Sequence, residues 1–374
     1  MNLSIPRLVV LDTATINYLA DKPNDPGSKE LISILSSGDW IPFLTLNVLE
    51  EIACHENDAV FQRRFNSLCR FPFVACLQNS QHEALVGSSR DLRVCEVDFL
   101  AENPNATHDE IIRTLRPKVN SGFYSGTKIV TENREWWQFF RKNLAEISRR
   151  NKSEAANLSH FTIADMDEPI PAKGEPFPKR SRQDAAVFMS QKAKWLERKV
   201  REDGDPRHID RVTITEFVKD IWEGAQKFLT AEGDVVEEWL KQGRVDRSRL
   251  PAKATTEDFV YEGAFAMWMD SHTKFLVGDK KERMRSIRKE QLPSLVIWQE
   301  LDRRIRRMPK AELGNVADRH IASFVPYIDL INVDKRIAEI FRQLNKQNKL
   351  FFEAYKRVPK KPGLPGLIEA LKKN

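Results

Sequence analysis

A chain of 374 residues, 41% hydrophobic and 30% charged, is long enough for a substantial core and for two domains or one elaborated domain. The mean hydropathy is −0.50, and no apolar run nears the roughly 18 residues of a membrane span, which argues against a helical membrane protein. A net charge of +6 and a pI near 9.0 permit an anionic partner without proving one. No basic segment followed by a signal-type apolar stretch opens the chain, so a cytoplasmic protein is expected. The cysteines at 54, 69, 76 and 95 form no CxxC pair, and reduced, mostly buried thiols are the reading.

The first element is a short apolar strand, Leu8-Val9-Val10-Leu11, that ends on Asp12. A helical stretch from Ile16 to Ala20 follows, then a Pro- and Gly-containing loop over 21–27, and Ser28 as N-cap of Lys29–Ser37. Trp40 to Leu46 reads as extended, and Thr45 or Asn47 caps a helix whose apolar face holds Val48, Leu49, Ile52 and Ala53. At about 100° per residue, Glu50 and Glu51 flank that face on opposite sides, so geometry does not choose between them. A basic amphipathic helix from Ala59 to Arg70 leads to a third strand, Phe71 to Leu77.

From residue 81 to 310 the pattern turns helical, with segments at Trp136–Phe140, Ala185–Val200, Glu216–Phe228 and Val235–Leu240. An irregular connection from Met166 to Arg182 carries prolines 169, 171, 176 and 178. The region reads as a helical insertion returning to the same sheet, or as a separate helical domain. Lys280 to Lys310 holds eleven Lys or Arg against four Asp or Glu, which suits a solvated helix face or contact with phosphates. Arg303 and Arg307 stand at i and i+4, on one helix face, and are the candidate nucleic-acid contacts. The basic tail over 351–374 is interrupted by Pro359, Pro362, Gly363, Pro365 and Gly366 and is expected on the surface.

The stretch Val316 to Phe341 carries Asp318, Asp329 and Asp334, the last after the apolar run Leu330-Ile331-Asn332-Val333. Two strands far apart in sequence, each leading to a carboxylate, suggest a cluster at the carboxyl edge of one sheet. Leu11-Asp12-Thr13, Val48-Leu49-Glu50-Glu51-Ile52, Ala317-Asp318 and Leu330-Ile331-Asn332-Val333-Asp334-Lys335 stand in the order of a PIN-domain nuclease, which this chain resembles. The likeness covers residues 5–80 and 310–345. It implies an α/β/α sandwich with a mainly parallel sheet, in parts 1–80 and 311–350, interrupted by the large helical insertion. It also implies a nuclease that holds Mg²⁺ or Mn²⁺ through Asp12, Glu51, Asp318 and Asp334, acts on RNA more than DNA, and prefers single strands. Toxin or antiphage defence roles, and a regulatory protein partner, belong to the same implication. The family often has Asn two places after the first Asp; Ala14 stands there, so that contact is missing or supplied elsewhere, with Thr13 and Thr15 nearest.

The acidic set suits this chemistry, because Mg²⁺ takes carboxylates plus water, and two such ions can activate a water and stabilise a leaving oxygen. Blander readings stand beside each residue: Asp12 as a strand-end turn former, Asp318 as a helix-start acid, Asp334 as an N-cap. Glu50 and Asp329 stay open as alternatives to Glu51 and Asp334. His320 lies about 200° around a helix from Asp318 and is read as packed, while His55 shares the face of Glu51. The second functional reading is a catalytically weak PIN-like scaffold that binds nucleic acid or a partner protein.

Overall fold

In a computed structural model, the chain is described over residues 7–55, 57–78, 86–132, 243–307 and 314–373, and at a few positions between 137 and 241. It forms two compact units: Met1–Asn151 with Val277–Asn374, and Lys152–Leu276. The first unit is an α/β unit built on five strands: β1 Arg7–Val10, β2 Trp40–Leu44, β3 Val74–Cys76, β4 Gly122–Tyr124 and β5 Leu330–Ile331. Their order across the sheet is β4-β3-β2-β1-β5. The pairs β5–β1, β1–β2 and β2–β3 are parallel, and the edge strand β4 runs antiparallel to β3.

Strands buried on both faces read as continuous apolar runs, and Val9, Val10, Phe43, Leu44, Val74, Ala75 and Ile331 are fully buried. The register pairs Val10 with both Phe43 and Ile331, so the chain leaves β1, β2 and β5 at one level and one edge. The chain passes from β1 through β2 and β3 to β4 on one side, and β5 later adds on the other, so the strand order reverses at β1. Crevices in open α/β sheets form at such points.

The helices begin where capping side chains satisfy their first N–H groups. Asp12 caps Thr13–Asp21, Asp25 caps Pro26–Ser36 with Pro26 in the first turn, Thr45 caps Leu46–Ala53, and Asp334 caps Lys335–Leu344. The cap of the second helix is thus Asp25 and not Ser28, because Pro26 fits a first helical turn. The basic helix after residue 57 is Asp58–Asn66 and tightens to a 3₁₀ turn over Ser67–Arg70.

The division of the chain differs from the expected one. Helices Ser89–Glu102, His108–Val119, Asp279–Ser286 and Pro293–Arg306 belong to the unit with the sheet, as does β4. The boundaries therefore fall at 151 and 276 rather than at 80 and 310. The tail is also regular: Lys349–Lys356 and Leu364–Lys373 are helices, and Leu367, Ile368 and Leu371 are buried. Gly363 ends the intervening turn at φ +81°, a conformation that glycine adopts without strain.

In the second unit, helix Thr256–Thr273 starts from a capping box of Thr255 and Asp258, and Phe259 packs with Leu240 and Val245. Segments Ala185–Val200 and Glu216–Phe228 lie outside the described residues, as do most of Trp136–Phe140, Met166–Arg182 and Val235–Leu240. Among the described residues no helix is long and apolar enough to cross a membrane.

Candidate functional site

The site stands where β1, β2 and β5 end. Asp12 follows β1, is 8% exposed, and accepts from the Thr15 N–H through Oδ1 at 2.9 Å. Asp334 follows β5 and accepts from the Ile337 N–H through Oδ1 at 2.7 Å. The N-cap reading of Asp334 is therefore observed, and Asp12, read as a strand-end turn former, is an N-cap as well. Each cap engages Oδ1 of its aspartate.

Glu51 lies on the helix after β2, and its Oε2 accepts from the Thr13 hydroxyl at 2.5 Å. Glu50 goes the other way round that helix, where Asp91 adds to burial in pushing its carboxyl up to about 7. The two glutamates thus separate as the helical wheel requires, and only Glu51 belongs with Asp12.

Asp318 is the fifth residue of helix Gly314–Ala322, so a first-turn dipole role does not describe it. Burial pushes its carboxyl up to about 8, and the charges of Asp334, Glu51 and Asp12 push the same way. Asp12 is raised by burial and then by Asp334, against the lowering bonds from Thr15 and Asn332. Glu51 is raised by burial and by Asp12, against the Thr13 hydroxyl. Carboxylates that raise one another in this way are mutual neighbours in a poorly solvated place.

Asp329 is elsewhere. Its Oδ2 accepts from the Leu8 N–H at 2.9 Å, and its Oδ1 pairs with Arg116. His320 turns to the opposite side of its helix: Nδ1 lies 2.8 Å from the Ser89 hydroxyl, and the ring tilts against Trp298 at 5.7 Å. Burial, with Arg93 and Arg319 nearby, lowers its pKa. His55 Nδ1 accepts from the Asn57 N–H at 3.2 Å.

Two side chains complete the set. Asn332 Nδ2 donates to Asp12 Oδ1 at 3.0 Å and to Thr15 Oγ1 at 2.8 Å, and Asn332 is 1% exposed. Asp12 is thus held by Thr15 and by Asn332, the residue after β5, while Thr13 serves Glu51. A polar residue inside the run Leu330-Ile331-Asn332-Val333 was the signal for it in the sequence.

The basic run divides into Asp279–Ser286, a 3₁₀ turn at Lys289–Gln291, and Pro293–Arg306. Much of its charge is matched: Arg303 and Arg304 pair with Glu300, Arg306 with Asp302, and Lys280 with Asp98. Arg307 caps the helix end and is exposed. Arg303 and Arg307 thus stand at one helix end, with Arg303 held by Glu300 at 2.8 Å.

A divalent ion is suited by the kind of donors here: oxygen ligands only, raised carboxyls whose charge a cation would relieve, and a buried Asn332 Oδ1 without a partner. As placed, no three His, Cys, Asp or Glu side chains among the described residues close around one point tightly enough to hold a metal. The donors are of the kind a divalent ion takes, but as placed they form no ligand cage. Compared with protein-family models, curated proteins and solved structures, the chain matches none of them.

Proposed function

We propose that this chain is a divalent-metal-dependent nuclease with a PIN-like α/β/α core, cutting phosphodiester bonds in single-stranded RNA. The observation that supports it best is the shared electrostatics of Asp12, Glu51, Asp318 and Asp334 at the reversal point of the sheet. Burial and neighbouring acid charges raise Asp12, Glu51 and Asp318, and a bound cation would relieve that repulsion. Mg²⁺ or Mn²⁺ would be held by Asp12, Glu51, Asp318 and Asp334, supplying Lewis acidity to the phosphate and a lowered pKa to bound water.

The protein's own part is positioning. Strand ends fix Asp12 and Asp334, and the caps hold one oxygen of each. Thr13 fixes one oxygen of Glu51, and Asp318 reaches in from its helix without a hydrogen-bond partner among the described residues. Burial around the set excludes bulk water and strengthens each charge interaction. Arg307 and its neighbours supply phosphate contacts at a helix end. A toxin or antiphage defence role in the cytoplasm, with a regulatory protein partner, extends the same reading.

The helix caps made by Asp12 and Asp334 favour a second reading, a scaffold that binds nucleic acid or a partner protein and has kept these aspartates for folding. Purified protein incubated with single-stranded RNA separates the two. Cleavage in Mg²⁺ or Mn²⁺ that stops with EDTA and with Asp12→Asn is the expected result. RNA binding without cleavage would leave the scaffold.

A further inference from the structure

Asn332 stands in an apolar run, and its side chain is buried next to Asp12. Burying an amide without partners costs roughly 2–7 kcal/mol, so its hydrogen bonds must account for it. The Asn332 N–H donates to the Val10 carbonyl at 2.9 Å, which carries the β1–β5 ladder past Ile331 and fixes where the side chain begins. Nδ2 then uses both of its protons, one on Asp12 Oδ1 and one on Thr15 Oγ1.

The bond to Asp12 is not needed for the helix start, because the Thr15 N–H already satisfies that cap through the same oxygen. The Thr15 N–H and Asn332 Nδ2 therefore converge on Asp12 Oδ1, and the Thr15 hydroxyl bonds the same carboxylate. A carboxylate with one oxygen held from two directions cannot rotate about its Cβ–Cγ bond without breaking both. The other oxygen is then presented in one orientation.

We infer that Asn332 is a positioning residue for the metal site of the nuclease reading, on which this inference rests: it locks Asp12 so that Oδ2 serves as the single cation-binding oxygen. Outer hydrogen bonds of this kind set ligand orientation, and losing one typically weakens metal affinity about 10- to 100-fold. A plainly structural Asn332 would tie β5 to the helix after β1 and leave ion affinity alone.

The test uses the full chain and Mn²⁺ as the probe, with free Mn²⁺ counted by electron paramagnetic resonance and thermal midpoints taken in EDTA. Asn332→Leu keeps the volume and removes both donors; if it does not fold, Asn332→Ala takes its place. Thr15→Val removes the second acceptor of Asn332 and the Thr15 hydroxyl's own bond to Asp12, and leaves the Asn332–Asp12 bond in place. The expected result is Mn²⁺ affinity reduced tenfold or more for the Asn332 variant, at a temperature where wild type and variant are both folded in EDTA. Thr15→Val should stay within about threefold. An Asn332 variant that binds Mn²⁺ within twofold of wild type, whatever its midpoint, overturns the inference while the nuclease reading stands. A wild-type protein that binds no Mn²⁺ overturns both.

Discussion

Arg116 and Asp329 form an ion pair that ties helix His108–Val119 to the chain just before β5, and the other oxygen of Asp329 accepts from Leu8 at the start of β1. Asp329 therefore joins a helix and a strand at the amino end of the sheet, while Asp12 and Asp334 work at the carboxyl end. One short strand separates acids with opposite tasks.

Asp329→Asn should leave Mn²⁺ affinity and RNA cleavage at wild-type levels and lower stability by about 1 kcal/mol, since the pair is part-exposed and an amide oxygen can still accept from Leu8. Asp12→Asn should do the reverse: Mn²⁺ binding and cleavage lost, with the helix cap kept because Asn also caps. Denaturant melts and Mn²⁺ titrations of both variants check this. Loss of Mn²⁺ binding in Asp329→Asn would put that residue in the site after all.

Glu96 gives a pH prediction. It is fully buried, accepts from the Ser294 N–H and hydroxyl and the Tyr327 hydroxyl, and burial still pushes its carboxyl up to about 7. Because the folded pKa lies above the unfolded one, the folded state holds the proton more tightly. Its contribution to stability is complete below about pH 4.5 and is lost as pH rises towards 7. Wild type should therefore lose stability relative to Glu96→Gln across that interval, by on the order of 3 kcal/mol. Parallel melting curves of the two proteins from pH 4.5 to 7.5 measure the difference; curves that keep a constant offset would mean that Glu96 is ionised throughout.

The carboxyl-terminal helix gives a stability prediction. Trp40 at the start of β2 donates through Nε1 to the Leu371 carbonyl at 3.1 Å, and Leu367 is wholly buried. Leu367→Ala should cost about 2–5 kcal/mol, as for other fully buried leucines. A surface segment would give a change within about 0.5 kcal/mol. Denaturant midpoints decide between them.

The strand ends were legible because short apolar runs stopping at Asp12 and Asp334 carry both the burial and the edge. Glu50 and Glu51 were not separable, since the choice depends on Asp91, which only the fold brings to Glu50. The three residues of β4 are too few for a period, and their place is set by pairing with β3. The tail misled because only Pro359, Pro362 and Gly363 fall between its two helices, while Pro365 and Gly366 sit in the first turn of Leu364–Lys373, whose apolar face is buried. The 280–310 run is less free than its count suggests, because Glu300 and Asp302 pair with arginines inside it and Asp98 reaches Lys280 from a remote helix.

That local pairing sharpens the nucleic-acid prediction. Arg303 is held by Glu300, which Arg304 shares, so reversing Arg303 disturbs an ion-pair group as well as any phosphate contact. Arg307 lies exposed at the helix end, with its backbone N–H on the Arg304 carbonyl at 3.2 Å. Arg307→Glu should weaken binding to a labelled single-stranded RNA and lower the slope of log K against log salt by about one unit, the share of one phosphate contact. Arg303→Glu should also weaken binding, with part of its effect passing through the Glu300 ion pair. Asp12→Asn should act in the opposite sense, with affinity kept or raised, since a negative charge near the phosphate is gone, and turnover abolished. Fluorescence anisotropy over a salt series, read beside cleavage rates, measures all three. If Arg307→Glu binds as wild type does with an unchanged slope, the helix end is solvated surface, and the case for a nucleic-acid substrate rests on the carboxylates.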